Sequence, residues 1–392
     1  QKDLCVQNDF IPNSLFQEYG VNRGLRDING VGVLTGLTNI SKIKSFQNVN
    51  GKREPCEGRL WYRGYDIKQL IGNLGPHEFG FEKIAYLLLF GDLPTPEQQA
   101  EFTDILSSCR TLPTNFTRDV IMKAPSKDIM NSMTRSVLTL ASYDNQVNGD
   151  LANSIRQCVR LISEFPMLAV YGYHAYNHYE NDDSMYIHRP DPNLSTAENI
   201  LRMLRHDMQY TELEAKALDI ALILHMEHGG GNNSTFTTRV VTSSGSDTYS
   251  TVAAALSSLK GPRHGGANIK VIEMIQDIKG HLNDWTDPEE TSAYLKKILA
   301  KETFDHSGLI YGMGHAVYTM SDPREVILKE RAKHLAYEKG FEEEYNMLCS
   351  IERLAPGIFA EEKGSTKPVC ANVDLFSGLI YNMLGISEDL YT

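Results

Sequence analysis

Thr211-Glu212-Leu213-Glu214-Ala215-Lys216-Ala217-Leu218-Asp219-Ile220-Ala221-Leu222-Ile223-Leu224 decides the fold class. A threonine followed three residues later by a glutamate is a capping box: each side chain satisfies the other's orphan backbone N–H. Behind it, Leu213, Ala217, Ile220 and Leu224 recur at helical spacing and form an apolar stripe to bury. The same punctuation recurs along the chain. Ser195 to Glu198 is a second capping box. Thr95-Pro96-Glu97-Gln98, Asp287-Pro288-Glu289-Glu290 and Asp322-Pro323-Arg324-Glu325 each place a cap, a proline in the first turn and an early acid or amide. An apolar helix over 81–90 stops at Gly91. Alternating strand patterns are scarce, with 30–38 and 60–67 the short candidates. The pattern predicts an all-α chain. The polar, turn-rich stretches 47–58 and 178–192 read as surface loops, and no internal repeat is present.

At 392 residues and 41% hydrophobic content the chain can bury one large or two modest cores. No apolar run approaches the ~20 residues of a membrane span. The N-terminal ten residues lack a signal-peptide profile, and the chain does not open on Met. Six cysteines without a CxxC pair predict reduced thiols, and a cytoplasmic location is the expectation. A net charge of -12 disfavours nucleic acid and anionic membranes as partners, although a local basic cluster still suits an anionic ligand.

Three histidine segments sit against glycines at helix ends: Leu224-His225-Met226-Glu227-His228-Gly229-Gly230-Gly231-Asn232-Asn233, Gly261-Pro262-Arg263-His264-Gly265-Gly266-Ala267-Asn268, and Tyr311-Gly312-Met313-Gly314-His315-Ala316-Val317. Glycine lets the backbone approach a ligand closely. A fourth segment, Ala371-Asn372-Val373-Asp374-Leu375-Phe376-Ser377-Gly378, sets a carboxylate among apolar residues, where desolvation raises its basicity. One histidine beside glycine reads equally well as a cap or a satisfied polar side chain. His225 and His228 have an i, i+3 spacing that can place two metal ligands on one helix face, but HExxH is absent and no third ligand is marked. Gly312-Met313-Gly314 lacks the remainder of a phosphate-loop or dinucleotide motif.

In order, these four segments resemble the citrate synthase family. So do Leu60-Trp61-Tyr62-Arg63-Gly64-Tyr65-Asp66-Ile67, Tyr86-Leu87-Leu88-Leu89-Phe90-Gly91-Asp92-Leu93-Pro94 and Pro190-Asp191-Pro192-Asn193-Leu194-Ser195. The resemblance covers the chain from about Gly30 onward. It implies a helical homodimer with a large domain, 1–268 with 371–392, and a small mobile domain, 269–370, around a cleft. It implies condensation of acetyl-CoA with oxaloacetate, with acetyl-CoA/CoA as co-substrate, no permanently bound cofactor and no metal.

By resemblance Asp374 is the base, His264 donates to the thioester carbonyl, and His315 polarises the ketone. His228 and Arg324 bind oxaloacetate. The backbone of Ile310, Gly312 and Gly314 meets the adenine, and Lys367 a CoA phosphate. Two departures stand out. Thr319 replaces a basic residue usual four positions after the third histidine, for which Arg263 is a candidate substitute. Further substrate arginines of the family would lie beyond Thr392, so the expectation is that either the natural protein extends past Thr392 or the chain as given binds oxaloacetate weakly. A 2-methylcitrate synthase using propionyl-CoA, and a catalytically silent oligomeric binding module, are the competing functions.

Overall fold

The structure, a computed structural model, describes residues 12–391 apart from 23, 26, 28–36, 147–148, 263, 316 and 365–367. Helices dominate it, and their starts follow the cap chemistry. Thr95, Ser195 and Thr211 form complete capping boxes opening the helices Pro96–Ser108, Thr196–Leu204 and Glu212–His225. Asp287 and Asp322 accept backbone N–H groups at the starts of Pro288–Leu299 and Pro323–Lys339. Gly80–Phe90 ends at Gly91 with φ +101°, a left-handed conformation that glycine adopts without a Cβ clash.

The expected loop at 47–58 is a β-hairpin instead. Strands β1 (Ser41–Val49) and β2 (Lys52–Tyr62) pair antiparallel, and β3 (Tyr65–Asp66) adds a short third strand. Asn50 and Gly51 turn the hairpin with φ of 51° and 79°, the two left-handed residues of a type I′ turn. The strand expected over 60–67 therefore ends at Tyr62, and Ile67 already begins the helix Ile67–Gly72. Most of the strand expected over 30–38 lies outside the described residues, and Leu37 and Thr38 belong to no strand. The loop expected at 178–192 begins after the thirty-residue helix Leu151–Glu180.

The helix Glu212–His225 organises the larger of the apolar cores. Ala217, Ile220, Ile223 and Leu224 are at most 2% exposed, so its C-terminal half is buried almost all round. It packs against Gly80–Phe90, Thr196–Leu204, Pro323–Lys339 and Asp374–Met383. Its C-terminal end thereby meets the N-terminal ends of the last two helices. A second core joins Ile129–Ala141, the middle of Leu151–Glu180 and Thr248–Leu259.

The hairpin is fastened to the loop before Pro323. Gly58 N–H donates to Ser321 Oγ at 3.1 Å, and Ser321 Oγ–H donates to Glu57 Oε2 at 2.8 Å. A Cβ at Gly58 would lie 2.0 Å from Ser321 O and 2.8 Å from the Tyr318 ring. Gly58→Ala should therefore push the strand from this loop and cost about 1–3 kcal/mol, the usual range for overpacking. Urea unfolding checks it: an unchanged midpoint would mean that the contact yields freely.

Candidate active site

His228 lies three residues past the end of Glu212–His225, in a turn held from two sides. Glu227 Oε1 accepts the Gly229 N–H at 2.6 Å and the Ser41 hydroxyl at 2.9 Å, while the Tyr62 hydroxyl donates to Glu227 O at 2.8 Å. Gly229 has φ +78°, and a Cβ there would be 2.9 Å from the Ile43 side chain. β1 and β2 thus set the height at which His228 enters the cleft. Its Nε2 lies 3.3 Å from the Tyr318 hydroxyl, and its ring stands edge-on to that of His315, with centroids 5.2 Å apart.

His315 sits in the loop leading to Pro323–Lys339. Its Nδ1 accepts the N–H groups of Val317 at 3.0 Å and Tyr318 at 3.1 Å. Backbone donors cannot reverse, so the neutral ring carries its proton on Nε2. Arg324 Nη2 lies 3.3 Å from that Nε2. Two donors face each other there, an arrangement completed by an oxygen that accepts from both. Arg324 is 7% exposed and gripped by Asp322, which takes Nε at 3.1 Å and Nη2 at 2.8 Å and also caps the Arg324 N–H at 3.0 Å.

His264 receives the Ser234 N–H on Nε2 at 3.3 Å, with the Ser234 hydroxyl 3.0 Å from the same nitrogen. That fixed backbone donor makes Nε2 the acceptor and leaves the proton on Nδ1, the opposite tautomer to His315. Asp374 is the first residue of Asp374–Met383 and half-buried. Burial raises its pKa, against the opposing pull of His225 and Arg324. Burial lowers His228 to about 3, with Arg324 adding to the effect. It lowers His315 to about 4, where Asp322 opposes and Arg324 assists. His264 is also lowered by burial.

A cavity of about 790 Å³ lies elsewhere, beside Tyr186 and His206, and contains none of these groups. His228, His264, Gly314, His315, Arg324 and Asp374 line one cavity of about 740 Å³. Ile310 and Gly312 belong to the same loop as Gly314 but do not line it; Ile310 is 2% exposed, and Gly312 O accepts the Asn372 N–H at 2.9 Å. Lys367 and Arg263 lie outside the described residues. Thr319 is 5% exposed, with its hydroxyl buried. Among the described residues, no group of three or more His, Cys, Asp or Glu side chains is placed to hold a metal ion.

The family model for the citrate synthase C-terminal domain matches residues 29–392. The chain belongs to the citrate synthase family. The citrate synthase of Corynebacterium glutamicum is 33% identical over 86% of this chain and 73% of its own length. The 2-methylcitrate synthase of Shewanella oneidensis is 33% identical over 85% of this chain and 80% of its own. Among solved structures, the Thermoplasma acidophilum citrate synthase, in ternary complex with carboxymethyl coenzyme A and oxaloacetate, superposes with a TM-score of 0.74. It is 25% identical over 92% of this chain and 85% of that one. The Pyrobaculum aerophilum citrate synthase gives 0.73 and 27% identity over 91% and 82%.

Sequence reasoning did not single out Tyr318, Ser234, Tyr62 or the ion-pairing role of Asp322. It marked Asp322 only as a helix cap. A carboxylate two residues before an arginine expected to bind substrate was the available signal, since a guanidinium buried in a cleft needs a partner.

The histidine states have a pH signature. An unfolded histidine takes up its proton near 6.5, whereas folded His315 holds off until about 4. Its contribution to stability is complete above pH 6.5 and is lost as pH falls towards 4. The urea midpoint of the wild type should therefore fall more steeply than that of His315→Asn over this window. Ring ¹⁵N shifts should show the Nε2–H form at pH 6; equal slopes and an Nδ1–H form would overturn the assignment.

Proposed function

We propose that this chain condenses acetyl-CoA with oxaloacetate and hydrolyses the resulting thioester, giving citrate and CoA. The carrying observation is that a carboxylate of raised pKa and two neutral histidines of opposite tautomer line one cavity with Arg324. The methyl group of a thioester is a weak carbon acid, so its deprotonation needs a base and a donor on the forming enolate oxygen together. Asp374 takes the methyl proton, and His264 Nδ1–H donates to the thioester carbonyl. The enol carbon then attacks the oxaloacetate ketone. His315 Nε2–H, facing Arg324, polarises that ketone and protonates the new alkoxide. Water cleaves the thioester and releases CoA as the thiol. Arg324 and His228 hold the oxaloacetate carboxylates, and the loop of Ile310, Gly312 and Gly314, with Lys367, takes the CoA.

Residues 269–370 act as the smaller, moving unit against 1–268 and 371–392, so closure carries His315 and Arg324 towards His228 and His264. The family resemblance supports a homodimer. The five described cysteines are unpaired, in keeping with the cytoplasm. No described helix is long and apolar enough to cross a membrane.

The equally similar 2-methylcitrate synthase favours propionyl-CoA as a second acyl donor. One methylene in a pocket is worth about 1–3 kcal/mol of discrimination. Release of CoA thiol with acetyl-CoA against propionyl-CoA, each with oxaloacetate, ranks the two donors. Release with neither would leave a catalytically silent module. Asp374→Asn should lose about 10²–10⁴-fold in turnover while folding normally; retention of a tenth of the wild-type rate would mean Asp374 is not the base. Because oxaloacetate touches both sides of the cleft, it should strengthen thioester binding by a coupling of about 1–3 kcal/mol. Identical calorimetric affinity with and without oxaloacetate would refute the closure.

A further inference from the structure

Asn372 joins the two loops that carry the reacting groups. Its Oδ1 accepts the Asp374 N–H at 3.0 Å, and its Nδ2 donates to Gly314 O at 2.8 Å. Its own N–H donates to Gly312 O at 2.9 Å, Gly314 N–H donates to Cys370 O at 2.7 Å, and Met313 pairs with Ala371 as an isolated antiparallel bridge. One side chain therefore satisfies the first free N–H of the helix that Asp374 opens and the carbonyl immediately before His315. We infer that Asn372 is a positioning residue of the reaction, a clip that fixes the Asp374 carboxylate relative to His315. This rests on the assignment of Asp374 as the base.

The residue type is dictated by the two partners. One needs an acceptor and the other a donor, and both must be met at the same time from a short side chain. A primary amide offers its acceptor and its donor on two separate atoms; a carboxylate only accepts, and a hydroxyl would have to meet both partners from a single oxygen. The backbone bonds around Gly312 and Gly314 hold the two loops side by side, yet none of them ends on Asp374. Without the Oδ1 contact the first N–H of Asp374–Met383 loses its side-chain acceptor, and the base is free to swing within the cleft. A displacement of about 1 Å at a reacting group can cost on the order of 10²-fold in rate. Oxaloacetate binding should be spared, because Arg324 is held by Asp322 and His228 by the turn at Glu227 and Gly229.

Three variants test the clip, with turnover, both KM values, melting temperature and the pH profile of kcat/KM measured on the full chain. Asn372→Ala removes both contacts, and kcat should fall about 10–100-fold with the oxaloacetate KM within about threefold. Asn372→Ser keeps a short acceptor for the Asp374 N–H and should recover part of that loss. Asn372→Asp keeps the acceptor, opposes Gly314 O and adds charge beside the base, so the acid limb of its profile should move to higher pH. The clip is refuted if Asn372→Ala turns over within twofold of wild type while Asp374→Asn is inactive. It is equally refuted if alanine and serine lose activity alike and only in step with their melting temperatures. Should the alanine variant not fold, the contrast of serine with aspartate decides alone: an unshifted acid limb in the aspartate variant overturns the clip. An active Asp374→Asn would instead remove the base assignment, and this inference with it.

Discussion

The ion pair between Asp322 and Arg324 is the constraint around which the cleft is built. Asp322 is fully buried and Arg324 nearly so. A carboxylate there is stable only because burial, which would raise its pKa, is overcome by the guanidinium charge and its hydrogen bonds. The same carboxylate caps the helix, so placing the arginine and starting Pro323–Lys339 are one event. Removal of either partner would leave an uncompensated buried charge, and the adjoining loop carries His315 and Tyr318. Their position, and through Tyr318 that of His228, depends on the pair.

The hairpin gives this arrangement its second support. Gly58 is pressed against Ser321 O, and Ser41 and Tyr62 both hold Glu227. One small sheet at the edge of a helical protein thereby touches the two segments that bring His228 and His315 together. The helix ends do the rest. The C-terminus of Glu212–His225 meets the N-termini of Pro323–Lys339 and Asp374–Met383, whose helix dipoles turn their positive ends towards the same space. An acidic protein can present an anion site in this way without a basic surface.

What was legible in the sequence follows how local each interaction is. Capping boxes act over three residues, so Thr95, Ser195 and Thr211 could be read directly, and the structure has all three. The hairpin was missed although Asn50-Gly51 was in view. Its outer face is polar, Pro55 interrupts β2, and the register shifts between Lys44 and Phe46, which hides the alternation. The glycine-bracketed histidines and Asp374 were found by motif, and the fold brings them to one cavity. The contacts that orient them span long separations, 186 residues from Ser41 to Glu227 and 90 from His228 to Tyr318. No periodicity or spacing rule reaches that far.

Arg324 can be structural and ligand-binding at once because of its shape. A guanidinium has five N–H groups in a planar fork. Asp322 takes one on Nε and one on Nη2, which leaves three, one of them beside His315 Nε2. An incoming carboxylate or ketone oxygen therefore finds its donors already oriented and need not displace Asp322. The histidines complete the argument. With His228 lowered to about 3 and His315 to about 4, both are neutral at pH 7 and do not repel Arg324. A neutral imidazole is also the right acid for an alkoxide: it gives up its proton only when the oxygen beside it has become strongly basic. In the proposed reaction, the burial that keeps His315 uncharged would make its proton transfer wait for the carbon–carbon bond.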